Sequence, residues 1–345
     1  MPSAPIRTPL WLLALITLSG TLAMHIFVPA LPLAAKALGA TTHATQLTLS
    51  TYIAGLAVGQ LVYGPVSDRY GRRPVLIAGM LVYTAASLAA FFAPTIGVLI
   101  VARLFQALGG CSGLVLGRAL VRDGASGAEA ARKLSLMNLM TMAGPGLSPL
   151  IGSALAETTG WRSIFVALTL LGLANLALIH ALLRDRPVED GKDVRHVMRN
   201  YLALLRSRAF LGYTIGGGCA TTALYAYIGA APFIFVNQLH RPTYEVGVYL
   251  AINVLGIWFG SLAASRAVSR MPTARLMILG NLISCVAATL FLAAALSGWL
   301  NVAIGAACTA LGGLGGNPML AAGSVLFGAG ILAQFAFWLA NRARA

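Results

Sequence analysis

The chain has 345 residues, of which 58% are hydrophobic and 10% charged, with a mean hydropathy of +0.82. Those values exclude an ordinary soluble domain and define an all-α polytopic membrane protein. The net charge of +15 would suggest nucleic acid in a soluble protein, but the cations sit in short joins between apolar runs, so no nucleic-acid partner is expected.

An apolar run of about 18 residues or more can cross the hydrocarbon core as a helix. By that measure, helices are predicted over residues 10–35, 45–66, 75–93, 95–118, 133–156 and 161–183, so that residues 1–183 form a first half of six. The first run passes Pro29 and Pro32 without a convincing cleavage site and is read as a retained helix. Residues 184–208 carry Asp185, Glu189, Asp190, Lys192, Asp193 and Arg195, too many charges to enter lipid, and form a linker. Residues 209–345 form a shorter second half, with predicted helices over 209–230, 244–265 and 275–297, a short run over 300–314 and a last one over 319–340. Cys111, Cys219, Cys285 and Cys308 stand singly in apolar stretches and read as small packing residues.

Orientation follows from the joins. Arg69, Arg72, Arg73, Arg118, Arg122, Arg132, Lys133, the linker cations, Arg266, Arg270 and Arg275 fall on alternate connections, which are therefore cytoplasmic, as is the N-terminus. The opposite connections carry Lys36, Arg162 and Arg241. Beyond Trp299 the count fails, because eleven crossings would put Arg342 and Arg344 outside, against the charge rule. The run over 300–314 is the weak member, short for a core about 30 Å thick.

Residues 64–73 read Gly-Pro-Val-Ser-Asp-Arg-Tyr-Gly-Arg-Arg, a charged loop between the second and third helices. A plain positive-inside loop does not require an acid followed at once by arginine, nor glycine at both Gly64 and Gly71. Asp68 can pair with Arg72 or cap a helix start, and the glycines permit a tight turn and close helix approach. The run resembles the signature G-x-x-x-D-R-x-G-R-R of the major facilitator superfamily. That resemblance implies twelve helices in two six-helix halves, and a gating loop (Gly64, Asp68, Arg69, Gly71, Arg72, Arg73) that latches the halves against the eleventh helix. With eleven runs in hand, an internal deletion near Asn301, removing the tenth helix and part of the eleventh, is the expectation, so the second half of the facilitator fold is shortened.

Further motifs extend the likeness. Residues 101–109 (Val-Ala-Arg-Leu-Phe-Gln-Ala-Leu-Gly) resemble a second family signature, R-x-x-Q-x-x-G. Arg103 lies about eight residues into its run, and an intramembrane arginine is functional or paired in a cavity unless it snorkels to the surface. The resemblance implies a part in proton coupling. Gly144, Pro145, Ser148, Pro149 and Gly152 resemble the third signature, associated with drug/proton antiporters, although small residues one turn apart also serve generic helix packing. Residues 24–32 (Met-His-Ile-Phe-Val-Pro-Ala-Leu-Pro) resemble the D-x-x-x-P-A-L-P stretch of the bicyclomycin/chloramphenicol (Bcr/CflA) efflux subfamily, with His25 where the acid would stand. Shifting the second half by 201 residues lays Gly59 on Gly260, Arg69 on Arg270 and Gly79 on Gly280, a weak internal repeat in keeping with paired halves.

None of the nine acidic residues falls in the middle of a membrane run. His25 is then the leading intramembrane proton carrier, or else a neutral histidine hydrogen-bonded between helices. Tyr52, Gln106, Tyr225, Tyr227 and Asn253 are candidates for the substrate cavity, with packing roles equally open for the tyrosines and Asn253. The missing carboxylate favours neutral over cationic substrates. No phosphate loop, metal-spaced histidines or nucleophile elbow appears, so neither an enzyme nor a bound cofactor is expected. The reading is a monomeric bacterial inner-membrane antiporter exchanging small amphipathic drugs for protons. Its alternatives are a sugar or metabolite facilitator and a truncated protein that does not transport.

Overall fold

The computed structural model describes residues 8–183 and 194–268, with scattered positions between 270 and 289. The runs over 300–314 and 319–340, and the deletion expected near Asn301, lie outside the described residues. The chain divides into two compact units, Met1–Val194 and Arg195–Ala345.

The first unit is helical throughout its described length. α1 (Leu10–Ile26) opens after Pro9, and at Phe27 it gives way to a 3₁₀ turn (Val28–Ala30) before α2 (Leu31–Ala37). The single helix expected over 10–35 is thus broken. Pro29 and Pro32 each lack the N–H that would bond back along the helix, and the Leu31 N–H bonds to the Val28 carbonyl instead. α3 (Thr42–Tyr70) starts at the Thr41 hydroxyl, which accepts from the Ala44 N–H at 3.2 Å. α4 (Arg72–Phe91), α5 (Ile96–Asp123), α6 (Gly127–Thr158) and α7 (Ser163–Leu182) follow. Among the described residues, six helical stretches, from Leu10–Ala37 to Ser163–Leu182, are long and apolar enough to cross a membrane. At 1.5 Å per residue, the 28 residues of α5 reach about 42 Å, beyond a hydrocarbon core of about 30 Å.

α5 is the central helix and packs on α1, α3 and α4; α6 packs on α1, and α7 on α4. Backbone contact is possible because the crossing points lack side chains. A Cβ on Gly109 of α5 would stand 2.3 Å from the Tyr83 nitrogen, and one on Gly152 of α6 only 1.8 Å from the Ile26 oxygen. Between helices already surrounded by lipid, such close contact replaces the hydrophobic drive as the source of association. At one end of the unit, Leu12, Leu13, Ile16, Leu76, Met80, Leu116, Met137 and Ile179 form a buried cluster. At the other, Arg162 donates to the Phe91 and Ala93 carbonyls at 3.2 and 3.0 Å, setting a cation on the exposed carbonyls that end α4.

The second unit begins with α8 (Val194–Arg206), which occupies much of the segment read as a linker. α9 (Arg208–Phe233) starts at Ser207, whose hydroxyl accepts from the Phe210 N–H. A π-helical turn (Ile234–Gln238) follows Pro232, then α10 (Thr243–Val268). Phe235 stacks on Tyr249 with ring centroids 4.5 Å apart, joining the turn to α10.

Candidate functional site

Two arginine clusters concentrate the polar chemistry of the first unit. The inner one is built on α5, where Arg103 and Gln106 stand one turn apart, both fully buried. Arg103 Nη1 donates to the Ala23 carbonyl at 2.8 Å and to Gln106 Oε1 at 2.7 Å. Gln106 in turn donates through Nε2 to Ser87 Oγ at 2.7 Å, and Ser87 Oγ donates to the Tyr83 carbonyl. The guanidinium carbon lies 4.1 Å from the centroid of the Tyr52 ring and 5.3 Å from that of Phe27.

The balance of energies explains this environment. A charge deep in a membrane helix costs about 2.5–3.5 kcal/mol on insertion scales. A hydrogen bond to a charged group returns about 1.5–3 kcal/mol, and a desolvated cation over an aromatic face about 2 kcal/mol. Two acceptors and two rings therefore offset the burial without a counter-ion. No carboxylate pairs with Arg103 in the ion pairs among the described residues. Its Nε and Nη2 are buried without a hydrogen-bond partner.

The break after α1 supplies the other wall. His25, buried, occupies the last turn of α1, between Ala23, whose carbonyl receives Arg103, and Phe27, whose ring stacks on it. Tyr52 of α3 donates its hydroxyl to the Gly20 carbonyl at 2.7 Å, fixing its ring beside the guanidinium. Phe27 is itself held against Phe165 and Trp161 of the α7 end, at 5.0 and 6.2 Å between centroids.

The predicted residues over 144–152 serve this same wall. Gly144, Ser148 and Gly152 are buried along α6, and the backbone approach at Gly152 is to Ile26, next to His25. Ser148 turns its hydroxyl onto its own helix, donating to the Gly144 carbonyl, so it presents no unpaired donor to α1. Pro145 and Pro149 lie within an α6 that continues as one helix.

The outer cluster lies at the α3–α4 junction and corrects the sequence reading. The run taken as a loop is helical on both sides: Gly64, Asp68 and Arg69 end α3, Arg72 and Arg73 begin α4, and Gly71 alone turns the chain. Gly71 has φ 93°, a conformation that disfavours any side chain. Gly64, by contrast, has open space where its Cβ would be among the described residues, so no close approach of the described helices depends on it. Arg72 pairs with Asp68 at 2.6 Å and with Asp123, at the end of α5, at 3.1 Å, and donates to Ser67 Oγ. Arg73 donates to the His180 carbonyl of α7 at 3.2 Å, while Arg69 stacks over Tyr70.

In the second unit, Tyr227 is buried and Tyr225 and Asn253 are half-buried. Two positions apart on α9, the tyrosines point about 200° apart and do not share a face. Sequence reasoning missed Asp123 as a partner of Arg72, and Phe27 as a partner of Arg103. It also missed Asn175, fully buried in α7, which donates to Ser19 Oγ at 2.7 Å. A lone amide in an apolar run was the available signal.

The sequence profile described as Major Facilitator Superfamily matches residues 13–341. The chain is 31% identical over 261 residues to an uncharacterised MFS-type transporter, YdgK, of Bacillus subtilis, covering 74% of this chain and 65% of that protein. It is 25% identical over 307 residues to a bicyclomycin resistance protein homolog of Haemophilus influenzae, covering 88% and 76%. Against a chloramphenicol resistance protein of Pseudomonas aeruginosa it is 32% identical over 268 residues, covering 77% and 60%. The chain thus spans less than two thirds of the Bacillus and Pseudomonas proteins. Among solved structures, a D-xylose-proton symporter superposes with a TM-score of 0.70 at 13% identity, over 96% of this chain and 81% of that one. At that identity the likeness is one of fold.

Proposed function

The chain belongs to the major facilitator superfamily, and from that premise we propose that it is a drug/proton antiporter of the bacterial inner membrane, exporting amphipathic drugs by alternating access. The observation that carries this reading is the buried Arg103, held by Gln106 and stacked by Tyr52 and Phe27 beside the helix break that bears His25. A fully buried cation in a membrane helix is retained for a site rather than for stability. The resistance proteins among its relatives support drugs as the cargo.

In this reading His25 carries the coupling proton, because it is the one group in the inner cluster whose unperturbed titration spans physiological pH. Arg103 senses the change in charge. The Asp68–Arg72–Asp123 cluster latches and releases the cytoplasmic side, and the α1–α6 contact at Gly152 lets the His25 segment move as one piece with α6. The N-terminus faces the cytoplasm, and the working unit is a monomer.

Expression in an efflux-deficient bacterium, with chloramphenicol and bicyclomycin as first compounds, tests the reading. The expected result is raised tolerance that Arg103→Ala abolishes, with drug-dependent proton movement in everted vesicles that His25→Ala removes. Membrane-inserted protein that confers tolerance to no compound would sink the exporter. Proton movement unchanged in His25→Ala would sink the coupling role alone.

A further inference from the structure

α8 differs in kind from the helices on either side of it. Its 13 residues reach about 20 Å, short of a hydrocarbon core of about 30 Å, and it is the most sharply two-faced of the described helices. At about 100° per residue, every large apolar position from Val194 to Arg206 falls in one arc of about 160°, bounded by Leu202 and Leu204. Arg195, Arg199 and Arg206 fall within about 40° of one another, beside the Leu202 edge of that arc. Residues 194–208 also carry His196 and Arg208, and they contain no acid.

The apolar arc is open. Leu202, Leu204 and Leu205 are exposed, and among the described residues no other element packs broadly on α8. Ser207 joins α8 directly to α9, which carries the apolar run over 209–230, so the helix is held where that run meets the membrane surface. A short helix of this pattern lies in the plane of the interface, with its apolar face at the boundary between headgroups and acyl chains. Arginines at the edge of such a face lay their stems along the acyl chains and carry their charge up to the headgroups, where the guanidinium fork matches phosphate oxygens. Six crossings return the chain to the side from which it set out, the cytoplasmic one in the orientation proposed above, and the anionic lipids of that leaflet attract basic segments.

We infer that α8 is an in-plane docking helix for anionic phospholipid, in which Leu202, Leu204 and Leu205 enter the acyl boundary and the row Arg195, Arg199 and Arg206 binds headgroup phosphates. The join between the two halves is thereby tied to the leaflet. This inference goes beyond transport and requires only that the chain spans a membrane.

The test uses the full chain with its four cysteines replaced by alanine and one new cysteine that bears an environment-sensitive fluorophore. The label stands either on the apolar arc, by Leu205→Cys, or on the opposite face, by Ala203→Cys. Each protein is placed in nanodiscs of phosphatidylcholine alone, or of phosphatidylcholine and phosphatidylglycerol in equal parts. Nitroxide-bearing acyl chains quench from the lipid side and acrylamide from the water. With phosphatidylglycerol present, nitroxide is expected to quench the Leu205→Cys label and acrylamide the Ala203→Cys label. The ratio of docked to undocked helix is expected to fall roughly fivefold for each of Arg195→Gln, Arg199→Gln and Arg206→Gln, and by about tenfold or more in phosphatidylcholine alone. Equal nitroxide quenching of the Leu205→Cys label in the two lipid mixtures overturns the inference without recourse to the arginine variants, because apolar contact alone would then hold the helix. Acrylamide reaching both labels alike overturns it by placing α8 in water, and a Leu205→Cys label reached by neither quencher overturns it by showing that protein covers the face. Docking retained with all three arginines changed to glutamine also overturns it. Drug tolerance enters none of these outcomes, so the exporter and the docking helix fail separately.

Discussion

Arg72 and Arg103 belong to the same helical unit and meet opposite solutions to the same problem. Arg72 has two carboxylates, Asp68 at 2.6 Å and Asp123 at 3.1 Å, and all three side chains are partly exposed. Arg103 has no carboxylate and no exposure, only a carbonyl, an amide and two rings. An exposed ion pair contributes about 0–1 kcal/mol, so the outer cluster adds little stability and is free to open and close. The inner one has its burial offset by those contacts, yet two of its buried donors stay unmet. Charge neutralised at a surface is suited to the proposed latch, and charge held in the interior by carbonyl, amide and rings to the proposed coupling site.

Substituting Arg103→Met gives the largest effect. Removing the charge relieves about 2.5–3.5 kcal/mol of burial and two unmet donors at about 1–3 kcal/mol each, and it forfeits the two hydrogen bonds and two ring contacts that offset them, so the terms nearly cancel. The thermal midpoint in detergent is therefore expected to stay nearly unchanged while drug tolerance falls to the level of cells without the protein. A large fall in the midpoint would make Arg103 a structural residue and collapse the contrast with Arg72. Next comes Gln106→Leu, which takes one of two acceptors from the guanidinium. A charged hydrogen bond of about 1.5–3 kcal/mol corresponds to a loss of roughly tenfold or more in drug efflux rate, measured as initial efflux from preloaded cells. Asp123→Asn acts at the outer cluster and should do the reverse of Arg103→Met in kind. Stability changes by less than about 1 kcal/mol, and efflux slows by a few fold because the closed cytoplasmic side is less favoured. An efflux rate unchanged by Asp123→Asn and by Asp68→Asn together would remove the latch.

How far these clusters could be read in advance depended on the range of the contact. Arg103 was legible because a cation inside an apolar run is rare, and Gln106 because three residues along a helix is one turn. Tyr52 was legible as a cavity candidate, but its stacking on Arg103 was not, since that depends on how α3 meets α5. Asp123 lies 51 residues from Arg72, and nothing local marks the pair. The six helices of the first half were found from hydropathy, yet α3 runs through Tyr70 and α6 begins at Gly127, several residues past the apolar limits. Hydropathy marks where lipid ends, whereas a helix continues until backbone chemistry stops it, as Gly71 does. The break at Phe27 was hidden for the opposite reason: the apolar run continues across it, and the prolines act on the backbone alone.

The smallest effect separates the two ways in which Tyr52 serves the inner cluster. Its hydroxyl bonds to the Gly20 carbonyl at 2.7 Å, and its ring lies against the guanidinium. Tyr52→Phe removes only the hydroxyl, and the Gly20 carbonyl, within α1, keeps its helical bond. The expected loss is about 1 kcal/mol of stability and a decrease of roughly twofold in drug efflux rate, because the ring is less firmly aimed. Tyr52→Leu removes the ring as well, and with it a contact of about 2 kcal/mol in a desolvated site, so the efflux rate should fall by up to about thirtyfold further. Equal losses in the two variants would mean that the hydroxyl, by fixing α3 to α1, does all that Tyr52 does. Arg103 would then be held by its hydrogen bonds alone, and its resemblance to the exposed Arg72 would be closer than the stacked rings suggest.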